Sequence, residues 1–257
     1  MTGGGWKPTA LEQLEALMGG LSEEKVNLLV EMGRALCRNV SVWIDPGSDI
    51  VTAPFERDFS GRLLLFHAMH DAALTKKTFE YFFCGASRAA GRTAVQTQNS
   101  VHAGEDAVIG GQKFSLKTEG GKTIRRTFAH ISKLMEARWI RECVSESDFC
   151  ECAHQRIVSH LMHYERIVSL RSFQAHRTWE YELVEMPRNV LLRISTLSPG
   201  DFSARTTNGS SRATVRGEHG EPLFVLCMDG SVEKVTVRNL DVRSCRVHAR
   251  WRVALDV

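Results

Sequence analysis

The segment Glu105-Asp106-Ala-Val-Ile-Gly110-Gly111-Gln-Lys-Phe-Ser115-Leu116-Lys117-Thr118-Glu119 constrains this chain more than any other. An apolar run, a Gly-Gly pair and then strict alternation predict a β-hairpin. Strand side chains alternate with period two. Gln112, Phe114, Leu116 and Thr118 therefore share one face, and Lys113, Ser115, Lys117 and Glu119 share the other. An acid on the first limb and a lysine on the second then converge at one open end of a sheet. A carboxylate that can hold a divalent cation and an ammonium that can orient water form the pair that phosphodiester hydrolysis requires. The plain alternative is a solvated strand face that Lys117 and Glu119 merely decorate.

The surrounding pattern is that of a mixed α/β chain. Thr9 and Ser22 open two helices across residues 9–38, and Val40–Ile44 reads as a strand ended by Asp45-Pro46-Gly47. A helix is expected over Phe59–Ala72. Another, capped by Thr75, runs to Ala90 with Phe79, Phe82, Phe83 and Ala86 on one face. After the hairpin, Phe128, Ile131, Leu134, Met135 and Trp139 stand at helical spacing, so Thr127–Cys143 is expected to be helical, followed by a long helix over 152–175. From 188 the texture changes to short strands and turns: Val190–Ile194, a polar loop at 199–212, Leu223–Cys227 joined to Val232–Val237, and a last strand over about 242–253. The expected architecture is a central mixed sheet flanked by helices, with a helical part and core over 1–187 and a β-rich region over 188–257 forming a subdomain of the same domain.

Charge is unevenly placed. Residues 1–75 carry 6 basic and 10 acidic side chains, whereas 188–252 carry ten Arg and one Lys against six acids. A basic field near the hairpin and in the last third suits an anionic polymer better than a uniform charge would. The seven cysteines are odd in number and scattered, which argues for reduced thiols in the cytoplasm. The longest apolar runs are far too short for a membrane span, and residues 1–6 lack the features of a secretory signal.

Phe79-Glu80, Gly104-Glu105-Asp106, Phe114-Ser115-Leu116-Lys117-Thr118 and Ile131-Ser132-Lys133-Leu134-Met135-Glu136 together resemble the PD-(D/E)xK nuclease superfamily, and within it the type II restriction endonucleases. The likeness covers about residues 75–140. It implies that Asp106 binds Mg²⁺, that Lys117 acts on the attacking water, and that the residue two before the lysine is usually acidic. Here that residue is Ser115. The resemblance then points to Glu136 as the replacement acid with Glu119 second, to Glu80 as an added glutamate from an earlier helix, and to the Leu116 carbonyl as a further ligand. No proline precedes Asp106, and the neighbouring Glu105 could be the ligand instead. The implied activity is Mg²⁺-dependent, sequence-specific cleavage of double-stranded DNA by a homodimer, with a cognate DNA methyltransferase possible in the same system. A non-catalytic DNA- or RNA-binding regulator and a repair or junction nuclease are the alternatives.

The last strand carries Arg246, His248, Arg250 and Arg252 on one face. Their spacing of about 6.5–7 Å is close to that of phosphates along one nucleic-acid strand. The loop Arg205–Arg212 adds Arg205, Asn208 and Arg212, side-chain types suited to base edges. Other motifs fail. Gly121-Lys122-Thr123 lacks the first glycine of a phosphate loop, since Leu116 stands there. Cys143, Cys150, Cys152 and His154 lack the paired spacing of zinc knuckles. His67 and His70, with Asp71, read as ordinary helix histidines.

Overall fold

The hairpin expected at 106–119 forms in the computed structural model, which describes residues 9–97, 104–121 and 124–255. Residues 1–6 and the pair Lys122-Thr123 discussed above lie outside these. Gly110 and Gly111 both take positive φ, +57° and +85°, the backbone that a two-residue turn between twisted strands demands.

In chain order the elements are α1 (Ala10–Met18), α2 (Glu23–Leu36), β1 (Val40–Ile44), α3 (Ala53–Met69), α4 (Lys76–Ala89), β2 (Ala94–Gln96), β3 (Ala107–Ile109), β4 (Gln112–Gly120) and β5 (Phe128–Glu136). Next come α5 (Glu146–Cys152) and α6 (Val158–Met162), joined by a π-helical turn, then β6 (Arg166–Ala175), β7 (Thr178–Met186) and α7 (Arg188–Leu192). The chain finishes with β8 (Ser211–Arg216), β9 (Pro222–Asp229), β10 (Lys234–Asp241) and β11 (Arg246–Ala254). Two of the caps read from sequence make their hydrogen bonds. Thr9 closes a capping box with Glu12, and the Thr75 side chain accepts from the Thr78 N–H, whereas Ser22 stands at the start of α2 without a side-chain cap bond.

Seven strands form one mixed sheet in the order β1-β11-β7-β6-β4-β3-β2, in which β4 and β6 are the parallel pair. A second, antiparallel sheet has the order β5-β10-β9-β8. Helices α3 and α4 cover one face of the large sheet, where Phe55, Phe59, Phe79 and Phe83 pack against Phe114, Leu116, Leu170 and Trp251. The second core joins the small sheet to the 139–161 segment through Leu134, Phe149, Ile157, Leu161, Phe224 and Val235. Tyr164, Ile167 and Met186 extend it to the margin of the large sheet. The chain crosses between the sheets four times, before and after β5 and before and after β8–β10, so that β5 pairs with β10 and β11 returns to lie between β1 and β7.

Three expectations fail for physical reasons. Thr127–Cys143 is not a helix but β5 followed by a 3₁₀ turn. Bulges interrupt the β5–β10 register, so that buried Ala129, Ile131 and Leu134 follow one another at two- and then three-residue spacing. That interruption imitates a helical period. Helix 152–175 stops at Met162, and β6 takes the rest. Residues Ile167–Phe173 of β6 are buried on both faces, so no alternation marks them as a strand. Val190–Ile194 is helical, in α7 and the 3₁₀ turn after it, because a short apolar run following Pro187 is compatible with either state.

Candidate active site

Asp106 is the last residue before β3. Its N–H donates to the Phe114 carbonyl (2.8 Å), which turns its side chain across the hairpin toward β4. One carboxylate oxygen accepts from the Leu116 N–H (2.7 Å) and from the Ser115 hydroxyl (3.3 Å), and lies 3.7 Å from the Lys117 ammonium. The other oxygen accepts from Lys76 Nζ at 2.7 Å. Lys76 is the first residue of α4, and one turn later on that helix Glu80 lies 3.2 Å from the same ammonium. The Glu80 carboxylate also accepts from Gln96 Nε2 on β2 (3.1 Å). Two carboxylates from different elements therefore converge on one cation.

Lys117 is not on a solvated face. Its side chain is 13% exposed, and burial lowers its pKa from 10.5 to about 8 while Asp106 opposes that shift. Ser169, its register partner on β6, is fully buried, and its hydroxyl makes no hydrogen bond among the described residues. Tyr164 is buried beside Ser115 and Asp106, and desolvation raises its pKa. His160 donates from Nε2 to the Leu134 carbonyl (3.0 Å). Its burial pushes the ring pKa down to about 4, so it stays neutral near neutral pH.

The other expected ligands are placed differently. Glu119 shares the strand face of Lys117 but is held by Arg171 at 2.8 Å, and burial raises its pKa against that guanidinium. Glu136 is on a strand, not a helix. Its carboxylate is largely exposed and pairs with Lys133 (2.6 Å), and among the described contacts it makes none with Asp106 or Lys117. Glu105 lies 3.7 Å from Lys113, whereas Asp106 takes the contacts with Lys117 and Lys76. Lys76 and Gln96 were not singled out from sequence. The only trace available was the Lys76–Glu80 spacing, which is common on solvated helix faces.

Among the described residues, Asp49, Glu185 and His248 form the one group of three whose ligand atoms lie within 4.8 Å of one another. Arg166 already serves as their cation. It donates to Asp49 (2.6 and 3.0 Å) and to Glu185 (2.7 and 2.5 Å), while His248 Nε2 donates to Glu185 (2.9 Å). A metal would have to evict a guanidinium bound by two carboxylates. The cluster is structural, tying the 45–50 loop to β6, β7 and β11.

Glu185 is half-buried, which acts to raise its pKa, yet Arg166 and then His248 hold that pKa at about 2, below its ordinary 4.5. A carboxylate with a depressed pKa in the folded state contributes stability above its unfolded value and loses it as pH falls toward the folded one. We therefore expect an acid limb of stability between about pH 5 and 2, worth up to about 3 kcal/mol. Glu185→Gln should flatten it in urea midpoints measured against pH. An unchanged limb would show that the acid sensitivity lies elsewhere.

The arginine ladder of the last strand is not a row of free cations. Arg246 pairs with Asp45 (3.0 Å), Arg250 with Glu182 (3.0 Å) and over the Trp43 ring, and Arg252 with Glu180 (3.9 Å). A bulge between Val247 and Ala249 turns His248 inward, where it is fully buried. Arg205 is tied to the Cys143 carbonyl (2.9 Å), whereas Asn208 and Arg212 are exposed on the tip loop and the β8 edge. The cysteine cluster is ordinary core: Cys143 and Cys150 donate to the Trp139 and Leu197 carbonyls. Both ring nitrogens of His67 are engaged, by the His70 carbonyl and the Tyr181 hydroxyl.

A mixed sheet presenting an acid and a lysine on one hairpin, with a second acid delivered by a neighbouring helix, is compatible with metal-assisted hydrolysis of a phosphodiester. The chain belongs to the type II site-specific deoxyribonucleases: residues 14–253 match a family of that description, and the matched span includes every residue of the site from Lys76 to Lys117. The family is that of SmaI. The type II restriction enzyme SmaI of Serratia marcescens is 30% identical over 250 residues, covering 93% of this chain and 96% of that enzyme. The protein is thus a sequence-specific restriction endonuclease, its substrate is double-stranded DNA, and enzymes of this kind typically depend on a metal. No described helix is long and apolar enough to cross a membrane.

Proposed function

We propose that this endonuclease hydrolyses DNA with Mg²⁺ held by Asp106 and Glu80, Lys117 acting on the nucleophile. The carrying observation is the shared cation: Lys76 Nζ sits 2.7 Å from Asp106 and 3.2 Å from Glu80, so the two acids are already arranged around one positive charge. Their hard oxygen donors suit Mg²⁺, which binds through one or two carboxylates and keeps waters and phosphate oxygens for the rest of its shell. When bound, such an ion supplies charge neutralisation at the phosphate and acidifies water.

The chain's own residues do the remainder. Leu116 N–H and Ser115 Oγ fix the Asp106 carboxylate, so Ser115 acts as an orienting donor where an acid is usual in the resembling family. Gln96 fixes Glu80 in the same way. Lys117 Nζ, sheltered from water, orients the attacking water and offsets charge developing on the phosphorus oxygens. Water attacks directly, with no covalent enzyme intermediate.

Exposed Arg212 and Asn208 support a recognition role for the 188–257 region. To them we add Arg238 and Asn239, exposed where a β-bulge in β10 breaks the ladder with β5 and Asn239 takes φ +58°. Arg205, Arg246, Arg250 and Arg252 contribute field more than free hands, since each already has a protein partner. A cytoplasmic homodimer is the form we expect, matched to a two-fold DNA site and accompanied by a DNA methyltransferase. The seven free thiols suit that compartment.

Purified protein incubated with phage DNA should give discrete bands with Mg²⁺ and none with EDTA. In the same assay Glu80→Gln should lower the rate by about 10²-fold or more, whereas Glu136→Gln should stay within about threefold of the parent. The reverse ranking would move the second ligand to β5.

A further inference from the structure

Lys76 occupies a position that helix energetics disfavour. It is the first residue of α4, where the helix dipole repels a cation, and it precedes Glu80 by four residues, the weaker orientation for such a pair. What holds it there is the pair of carboxylates across the site, at 2.7 and 3.2 Å. Accessibility separates the three groups. The Lys76 side chain is 44% exposed, while those of Glu80 and Asp106 are 13% and 17% exposed. The carboxylates are fixed by Gln96, Leu116 and Ser115, but the lysine has a flexible stem and a way out to solvent.

We propose that Lys76 is an internal counter-cation, its ammonium occupying the place of the divalent ion and leaving when that ion binds. This rests on the assignment of Asp106 and Glu80 as the metal-holding pair. The physical reason is charge. Two carboxylates that share a site repel each other, and the Lys76 ammonium, 2.7 and 3.2 Å from them, offsets that repulsion in the metal-free protein. Loading then exchanges one cation for another. The site is kept intact without metal, and its affinity for metal is set lower than the two carboxylates alone would give. Lys76 is on this account a positioning residue that acts through the two acids.

The test is metal binding without DNA, read by the Mn²⁺ electron paramagnetic resonance signal and by calorimetry with Ca²⁺. Parent, Lys76→Met, Lys76→Gln, Asp106→Asn and Lys76→Met/Asp106→Asn proteins are compared. Removing a competing ammonium should tighten binding about tenfold or more in both single Lys76 variants, and Asp106→Asn should abolish it in either background. A lysine with only a structural role predicts the opposite sign, because its loss would loosen the site. Equal or weaker binding in the Lys76 variants, with binding still dependent on Asp106, would overturn the counter-cation and leave the metal pair standing. Binding that ignores Asp106 in every protein would remove both.

Discussion

Lys117→Met should reduce DNA cleavage by at least about 10³-fold while leaving the fold and specific DNA binding intact. The side chain has the right properties to separate chemistry from structure. Lys117 is almost wholly sheltered, and its one described ion pair is the 3.7 Å approach to Asp106. Burial already works against its charge, so replacing the ammonium by an apolar chain of similar length removes an unfavourable desolvation with the favourable contact. Stability should therefore change little, and the activity loss cannot be blamed on unfolding. Asp106→Asn is the companion: its amide oxygen can still accept from Leu116 N–H, so the hairpin survives while the carboxylate proposed to hold the metal is lost. Binding is measured by gel shift in Ca²⁺ or without metal, and cleavage by single-turnover kinetics in Mg²⁺. A Lys117→Met enzyme cutting within tenfold of the parent would end the assignment of that lysine.

The hairpin could be found from sequence because its determinants are local. Two glycines select the turn, alternation selects the faces, and Asp106 and Lys117 follow from register. Thr75, which starts α4, was equally local. Lys76 and Gln96 were invisible for the opposite reason: they reach the site only through the packing of α4 and β2 against the hairpin, which no periodicity reports. The misreading of Glu136 has a definite cause. Its bulged strand carries apolar residues at mixed spacing, and a helix there would have offered the acid that the resemblance called for. The acidic partners of the arginine ladder were out of reach of the sequence for a similar reason. Arg250 and Arg252 alternate as an exposed ladder in sequence, but Glu180 and Glu182 on β7 become their cross-strand neighbours only once β7 pairs with β11. Those acids were unremarkable in a stretch not assigned as a strand at all.

Arg171→Met should cost about 3–5 kcal/mol of stability, the largest effect of any single substitution away from the site. Arg171 is fully buried. Its guanidinium donates to Glu119 (2.8 Å) and Glu182 (2.9 Å), and to the carbonyls of Arg125, Arg126 (3.3 Å) and Phe128 (2.8 Å). One side chain thus pins β4, β7 and the chain entering β5. Removing it leaves two poorly hydrated carboxylates facing one another and three carbonyls without their donor. Desolvation, which already raises the Glu119 pKa against the Arg171 charge, would then act unopposed. Adding Glu119→Gln to Arg171→Met should recover part of the loss, because a neutral amide buries more cheaply than an unpaired anion and can donate to a carbonyl. The two changes touch one network, so their effects should be strongly non-additive in a double-mutant cycle by urea denaturation. Glu119 also shares the strand face of Lys117, which makes the outcome informative about function. If Arg171→Met lost less than about 1 kcal/mol, the buried ion network would not be what organises this face of the sheet, and Glu119 would be free to serve the metal after all.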